Sequence, residues 1–268
     1  SFSISGVDLD LSSLGSAEQA GFTIDASNVN LSALADVDGA DFSISGGVAI
    51  ALPSVTSVMN IGDMGWQADG DGSSLDLSNL TNLDTGAYAL QDIYISAING
   101  GEVDLSKVTE ITDTATGSLD NRSVRIKADG PGSIVRLDTL QTFEDLYAGD
   151  TTYDDRYGGG HYYNLNESSR LEAFNEGTIL LGSLTSVRGG YIPLDGSGTL
   201  DTSTIVDLQQ SRMEVSNEAV DLHSVVDAGS TAFVINGVNV DFSSLAFANS
   251  ASFSISGVDL DLSSLGSA

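Results

Sequence analysis

The stretch SFSISGVDLDLSSLGSA, residues 1–17, occurs again letter for letter as residues 252–268. The two copies are 251 residues apart, and the segments between them share only the hydrophobic pattern of this stretch. We therefore interpret residues 1–251 as one period and residues 252–268 as the first rung of the next period. The chain is then expected to be a window of a longer tandem array, or of a filament whose subunits continue one another.

A shorter repeat fills the period. Each unit reads apolar-x-apolar, a turn, and then apolar-x-apolar-x-x-apolar-x-x-apolar; the first unit places these side chains at Phe2, Ile4, Leu9, Leu11, Leu14 and Ala17. The first apolar position of the successive units is occupied by Phe2, Phe22, Phe42, Trp66, Ile93, Val124, Leu171, Ile192, Met213 and Phe233, and Phe253 restarts the series. The period thus contains ten units, and an eleventh has begun.

This pattern decides the fold class. Alternation with a period of two in short β-branched and aromatic runs indicates strands with one buried face. Two such strands in each short unit, without helical patterning, predict an all-β parallel β-helix, or β-solenoid, of about ten rungs per 251-residue period. The alternative is a β-sandwich of many short strands, but a sandwich does not require one repeated set of six apolar positions.

The spacing varies along the period. The first turn takes seven residues from Phe2 to Leu9 and eleven from Val124 to Val135. The link between units takes 28 residues from Phe143 to Leu171, which defines a loop insertion at residues 144–170, and is short again toward the end. Uniform ends favour continuation rung on rung, whereas insertions at one level favour a lateral contact or a binding surface.

Segments such as FSISG at residues 42–46 and VNLSAL at residues 29–34 give the chain a resemblance to a known class. It resembles bacterial extracellular parallel β-helix (β-solenoid) tandem-repeat proteins that form surface adhesins and fibres. The resemblance covers nearly the whole chain. It implies surface display, cohesion or adhesion more often than catalysis.

The amino-acid composition restricts the kinds of partner that the chain can bind. The net charge is −29 and there is no cysteine, so the chain repels nucleic acid and anionic membrane surfaces, attracts cations, and has no disulfide or zinc–thiolate site. We also expect no membrane insertion, because no segment approaches the roughly 18 consecutive apolar residues of a span. High acidity, few lysines and abundant Ser, Thr, Gly and Asp suggest an extracellular, cell-surface location.

One outward position recurs between the third and fourth apolar residues and is mostly Asp. We call it the Asp column; its members are Asp10, Asn30, Ala51, Asp76, Asp104, Arg136, Leu180, Asp201, Asp221, Asp241 and Asp261. Stacked carboxylates repel by roughly 1 kcal/mol per neighbour even in water, so Asp201, Asp221, Asp241 and Asp261 are candidate ligands for calcium, which prefers oxygen. The alternative is a solvated acidic face, relieved by the serines two residues further along.

A second calcium candidate is the segment Asp69-Gly70-Asp71-Gly72. Asp69 and Asp71 resemble the start of a calcium loop, but the glutamate expected at the twelfth position of that loop is missing. A Gly/Asp turn is the alternative interpretation.

The 144–170 insertion is chemically unlike the rungs. Its candidate contacts for glycan or protein are Tyr147, Tyr153, Asp154, Asp155, Tyr157, Tyr162 and Tyr163. Tyrosine beside carboxylates can bind sugar by stacking and hydrogen bonding, or can anchor a protein contact. The alternative is a loop that folds back on the solenoid, with the tyrosines as its own small core.

Catalysis is the least supported class. Parallel β-helices host polysaccharide lyases and hydrolases, which need carboxylates clustered in one groove. Arg136, Asp138, Asp154 and Asp155 could approach one another, but no spacing fixes a geometry, and His161 and His223 are far apart in sequence. We predict a non-enzymatic structural segment of an extracellular fibre or tandem-repeat surface protein, with an adhesin second and a carbohydrate-active enzyme third.

Overall fold

The structure is a computed structural model that describes residues 1–86, 91–114, 122–146 and 168–266. These residues form 27 strands, numbered β1 to β27 in chain order, and no helix. None of them therefore builds a helix long and apolar enough to cross a membrane. The strands pair in parallel along one stack, so the predicted parallel β-solenoid is confirmed.

The first face of the solenoid is an eleven-stranded parallel sheet with one strand from each rung. Its strands are β1 (Phe2–Ser5), β3 (Gly21–Asp25), β5 (Asp41–Ser45), β8 (Met64–Asp69), β11 (Ile93–Ile98), β14 (Val124–Asp129), β17 (Arg170–Phe174), β20 (Tyr191–Leu194), β23 (Arg212–Ser216), β25 (Ala232–Asn236) and β27 (Ser252–Ser256). Phe22 pairs with Phe2 on one side and with Phe42 on the other. Ten rungs and the start of an eleventh are therefore present, as the repeat predicts.

The second face carries the next strand of the first ten rungs. Its strands are β2 (Leu9–Asp10), β4 (Val29–Asn30), β6 (Ala49–Ala51), β9 (Ser74–Asp76), β12 (Glu102–Asp104), β15 (Ile134–Arg136), β18 (Thr178–Leu180), β21 (Thr199–Leu200), β24 (Val220–Asp221) and β26 (Val240–Asp241). Within this face, six strands from β6 to β21 form one continuous sheet, and two shorter pairs flank it.

A third face, which the sequence pattern does not reveal, closes the cross-section. Its strands are β7 (Ser57–Met59), β10 (Asn82–Asp84), β13 (Glu110–Asp113), β16 (Thr142–Asp145), β19 (Ser186–Arg188) and β22 (Asp207–Gln209). Single bridges, such as Ser16 with Asp36 and Asp227 with Phe247, continue it in the slim terminal rungs. The expectation of two strands per unit was thus too low, because most of these strands point one apolar residue inward and show no alternation.

Like residues stack on like residues in the interior. The rings of Phe2, Phe22 and Phe42 lie parallel, with centroids 4.8 and 4.9 Å apart. This separation matches the spacing of hydrogen-bonded strands, because the backbone ladder sets the distance between equivalent side chains. The apolar positions of the repeat thereby merge into one continuous buried core.

The constant steps of three residues after the second strand have a local cause. The amide of Leu14 donates to the carbonyl of Leu11 at 2.8 Å, which closes a turn whose two end residues both point inward. The same bond joins Leu34 to Leu31 and Leu245 to Phe242, at 3.0 Å in each case. The corner therefore places two inward residues three positions apart, and both are apolar in every rung except that of Thr202.

The corner after the first face often needs a residue with positive φ. Gly46 has φ near +73°, and a Cβ atom there would lie 2.6 Å from the backbone nitrogen of Ala26 in the rung below. A side chain at this position would force neighbouring rungs apart, so glycine is required for both its conformation and its size.

We predict that Phe22→Ala destabilises the N-terminal rungs by about 3–5 kcal/mol, because it removes a fully buried ring from the aromatic stack. Since rungs contact mainly their neighbours, amide hydrogen exchange should accelerate in β1, β3 and β5 and stay unchanged in β25. The control is Thr23→Ala, which alters the adjacent exposed side chain. Equal acceleration in both variants would contradict this account of the core.

Candidate functional site

The Asp column caps the turn that follows the second face. In eight rungs its Oδ1 atom accepts a hydrogen bond from the backbone N–H two residues later, at 2.8 to 3.1 Å. The acceptors are Asp10, Asn30, Asp76, Asp104, Asp201, Asp221, Asp241 and Asp261. These Asx turns explain why Asp or Asn recurs at this position, since both carry an acceptor that reaches its own backbone.

The turns also stabilise the charged form of some of these carboxylates. Hydrogen bonds from the side chain and backbone of Ser263 lower the pKa of Asp261, and those of Ser12 do the same for Asp10. For Asp221, the backbone N–H of His223 and then its imidazole lower the pKa. These three carboxylates therefore stay ionised well below neutral pH.

The four Asp residues proposed as calcium ligands lie along one edge of the solenoid. Asp221 and Asp241 are direct register partners in neighbouring rungs. In the part of the chain that the structure describes, however, no three His, Cys, Asp or Glu side chains come close enough to hold a metal ion. Calcium binding stays a prediction, and the Asx turn already accounts for the residue type.

A cavity of about 200 Å³ lies beside this column, lined by Asp201, Asp221 and Thr202. Thr202 is the one polar residue among the six repeated inward positions, and its hydroxyl donates to the carbonyl of Asp221 at 2.9 Å. Its small side chain stands where other rungs place a larger apolar residue, which leaves the space open.

The other calcium candidate forms a turn. Asp69 ends β8, and its Oδ1 atom accepts a hydrogen bond from the Asn99 side-chain amide at 2.8 Å. Gly70 and Gly72 both have positive φ, and the amide of Ser73 donates to the carbonyl of Gly70. Asp71 lies within this Gly/Asp turn, between the first and second faces.

The predicted contact residues of the long insertion, Tyr147, Tyr153, Asp154, Asp155, Tyr157, Tyr162 and Tyr163, lie outside the described residues. The structure does place the point from which the insertion leaves, between the end of β16 and the start of β17. The connections from β10 to β11 and from β13 to β14 leave the same corner, between the third and first faces. Three successive rungs thus carry their longest links at one edge.

A buried charged cluster lies at the roots of these three links. Asp113, Asp145 and Arg122 are each 5% exposed or less, and an Nη2 atom of Arg122 is 2.5 Å from Oδ1 of Asp113. Arg122 also donates to the carbonyl oxygens of Gly86 and Thr114, which precede the first two links. One guanidinium therefore joins the roots of two neighbouring insertions.

The third insertion is attached through Asp145, whose Oδ2 atom accepts the backbone N–H of Ser169 at 3.1 Å. Asp145 is the register partner of Asp113, so two buried carboxylates are stacked one strand apart. Burial, and then the Asp145 charge, raise the pKa of Asp113 to about 6, while Arg122 opposes this shift. Sequence reasoning missed this cluster, although each Asp lies two residues after an inward apolar residue.

Of the residues weighed for catalysis, Asp154, Asp155 and His161 lie outside the described residues, and Arg136, Asp138 and His223 form surface ion pairs. Nη2 of Arg136 lies 3.0 Å from Oδ1 of Asp138, and its Nε lies 3.9 Å from Oδ2 of Asp104. His223 is exposed and contacts Oδ1 of Asp221 through Nδ1 at 2.6 Å. These pairs lie on open outer surface of the second face and its turn.

Comparison of the chain with family models, with curated proteins and with solved structures finds no match in any of the three.

We expect Asp241→Ala to lower stability by about 1 kcal/mol, because the turn amide of Ser243 loses its acceptor. Asp241→Asn should keep the melting temperature, since Asn30 makes the same bond. The asparagine variant also halves the charge of the Asp221–Asp241 pair. If calcium binds this column, thermal melts will show that added calcium stabilises the unaltered chain more than the asparagine variant.

Two outcomes of these melts would count against this view. An asparagine variant as unstable as the alanine variant would refute the turn role of Asp241. Equal calcium effects on the unaltered chain and on the asparagine variant, or none on either, would remove calcium from the Asp column.

The buried cluster should make stability depend on pH in one direction. Because the pKa of Asp113 is raised from 3.8 to about 6, its contribution is fully present below 3.8 and is lost as the pH rises through 6. Asp113→Asn should therefore stabilise the protein by about 1–2 kcal/mol at pH 8 and by much less at pH 5. Thermal unfolding at both values, which avoid the pI near 4.1, measures this.

Arg122→Met is the matched opposite change, because it leaves buried Asp113 without its cation while the Asp145 carboxylate remains one strand away. We expect it to destabilise by about 3–5 kcal/mol at pH 8, and by less at pH 5, where Asp113 is mostly protonated. Losses that are the same at both pH values would mean that packing, and not charge, dominates this cluster.

Proposed function

We propose that the chain is a structural segment of an extracellular β-solenoid fibre or of a giant tandem-repeat cell-surface protein, whose periods stack rung on rung. The observation that supports this proposal is the position of the second copy of the repeated stretch, which stacks on the tenth rung. Strand β27 pairs with β25 at an offset of 20 residues, and Phe253 stacks on Phe233 at 5.0 Å. Strand β1 meets β3 with the same offset and the same stacked rings.

Rungs 1 and 11 have the same sequence, so a rung that can pack on one of them can also pack on the other. Residues 21–40 seat on rung 1 in continuous register. An equivalent segment of a following period can therefore seat on residues 252–266 with the same hydrogen bonds and apolar contacts. Phe2 and Ile255 are about 40% exposed on these two rungs, whereas Phe22 and Ile235 are buried.

The surface chemistry supports a location outside the cell. A chain with a net charge of −29 stays soluble at high local density, because its outer faces repel one another. Strength along the axis would come from the parallel ladders and the continuous core, which need neither disulfides nor a cofactor.

A cell-surface adhesin that binds glycan or protein is the second candidate. It is favoured by the convergence of three insertions at one corner, since loops grouped on a rigid scaffold are the usual carriers of recognition. Replacing residues 147–167 with a short Gly/Ser link would abolish such binding on a glycan array and leave the solenoid intact. A fibre segment would keep all its assembly properties after the same change.

The stacking proposal predicts the shape of a chain that carries two periods. Ten rungs advance roughly 48 Å, so the second period should lengthen the particle by this amount in small-angle scattering, as one rigid rod. The amides of the junction strand should be as protected from exchange as those of β25. The matched control, Ile255→Asp at the junction, should leave two rods joined by a flexible hinge. A hinge in the unaltered two-period chain would refute the proposal.

A further inference from the structure

The outer surface of the first face changes character along the solenoid. Four of the nine Lys and Arg residues of the chain lie there, on three of the strands between β14 and β23. They are Arg125, Lys127, Arg170 and Arg212. In an acidic chain this concentration of cations sets five adjacent strands, β11 to β23, apart from the rest of the surface.

Three of these cations, the arginines, stand in a column with two tyrosines. Register pairs join Tyr94 to Arg125, Arg125 to Arg170, Arg170 to Tyr191, and Tyr191 to Arg212. The guanidinium of Arg125 lies 5.1 Å from the ring centre of Tyr94, and that of Arg170 lies 5.6 Å from the ring centre of Tyr191. We call these five residues the Tyr–Arg column, in which cation–π contacts join two neighbouring pairs of side chains.

Carboxylates stand beside this column on the same strands. Arg170 and Glu172 are 3.4 Å apart, Arg212 and Glu214 are 2.5 Å apart, and Lys127 contacts Asp129. The outward positions of β11 to β23 carry four cations and the three carboxylates of Asp129, Glu172 and Glu214. We call Glu172 and Glu214 the Glu column. We call the Tyr–Arg column together with its adjacent carboxylates the strip, and its net charge is close to zero.

Both ends of the same sheet look different. At the register position of the Tyr–Arg column, β8, β25 and β27 present Gly65, Ala232 and Ser252. At the register position of the Glu column, β1, β3, β5 and β27 present Ser3, Thr23, Ser43 and Ser254. Outward residues do not fill the core, so the core does not explain the contrast. Tyrosine and arginine are enriched, and serine depleted, where proteins bind one another.

We propose that this strip is a lateral interface at which a second copy of the chain docks, strip against strip, with the two solenoid axes parallel. Two chains of charge −29 repel one another at their other faces, but not where cations balance carboxylates. A two-fold axis that runs parallel to the solenoid axis, midway between the two columns, places the Tyr–Arg column of each copy over the Glu column of the other. The strip is thus complementary to itself in charge.

The area of the strip indicates how tightly two copies of the chain would bind. Five strands spaced about 4.8 Å apart, each about 16 Å long, give roughly 400 Å² per copy, which is typical of a weak contact. Along the proposed fibre the strip recurs every 48 Å or so, and many weak contacts in register would join two fibres side by side. Only this pairing of fibres rests on the proposed function; pairing of single chains does not.

Sedimentation of the 268-residue chain over a range of concentrations tests the pairing directly. We expect reversible dimers at high micromolar concentration. Arg212→Glu should weaken the dimer at least tenfold, because it places like charges opposite each other. The double change Arg212→Glu with Glu214→Arg should restore the dimer to within a few-fold, since it keeps both the pair on the strand and the complementarity between copies.

Arg136→Glu, an equal charge change on the second face, is the control and should leave the dimer unchanged. Circular dichroism establishes that each variant is folded. A chain that stays monomeric up to about millimolar concentration, a control that weakens the dimer as much as Arg212→Glu, or a failed rescue would overturn the proposal. So would a strip that binds an anionic glycan while the chain stays monomeric. Each of these outcomes leaves the two-period rod intact.

Discussion

The parallel backbone ladder between consecutive rungs is the constraint on which the rest of the structure depends. It fixes the distance between equivalent residues at one strand spacing, so each position of the repeat becomes a column along the solenoid. A phenylalanine column becomes an aromatic stack, and an aspartate column becomes a row of turn caps. A residue in this fold must therefore be compatible with copies of its own type one strand away. Columns of ionised residues meet this condition least well, because like charges repel.

The sequence sufficed for the columns and for the number of rungs, because hydrophobic spacing directly reports which residues face the core. It did not reveal the third face, whose strands such as β7 and β10 turn one apolar residue inward and look like loop. It also could not show that Asp113 and Asp145 are buried, since an acidic residue after a strand is usually solvated. The distinction needs coordinates, because it depends on Arg122, which arrives from beyond an insertion.

The Asp column shows how one residue type can serve local structure and invite a functional interpretation. Repetition of carboxylates at one strand spacing looks like a cation site when only the sequence is read. In the structure one oxygen of each of these carboxylates accepts a hydrogen bond from the backbone of its own turn. This bond is sufficient reason for Asp or Asn at that position. Charge repulsion along the column is then a consequence of the turn chemistry, which solvent and counterions relieve.

Regular rungs and irregular features occupy different parts of the solenoid axis. Rungs at both ends have the same slim outline, which the proposed continuation from one period to the next requires, because a repeated register can continue only between matching cross-sections. Irregular features would disturb that match, and they are confined to the middle: the three insertions, the buried cluster at their roots, and the strip around the Tyr–Arg column. Propagation and lateral recognition can coexist in one period only if they occupy different rungs, and the proposed stacking ends and the proposed lateral strip meet that condition.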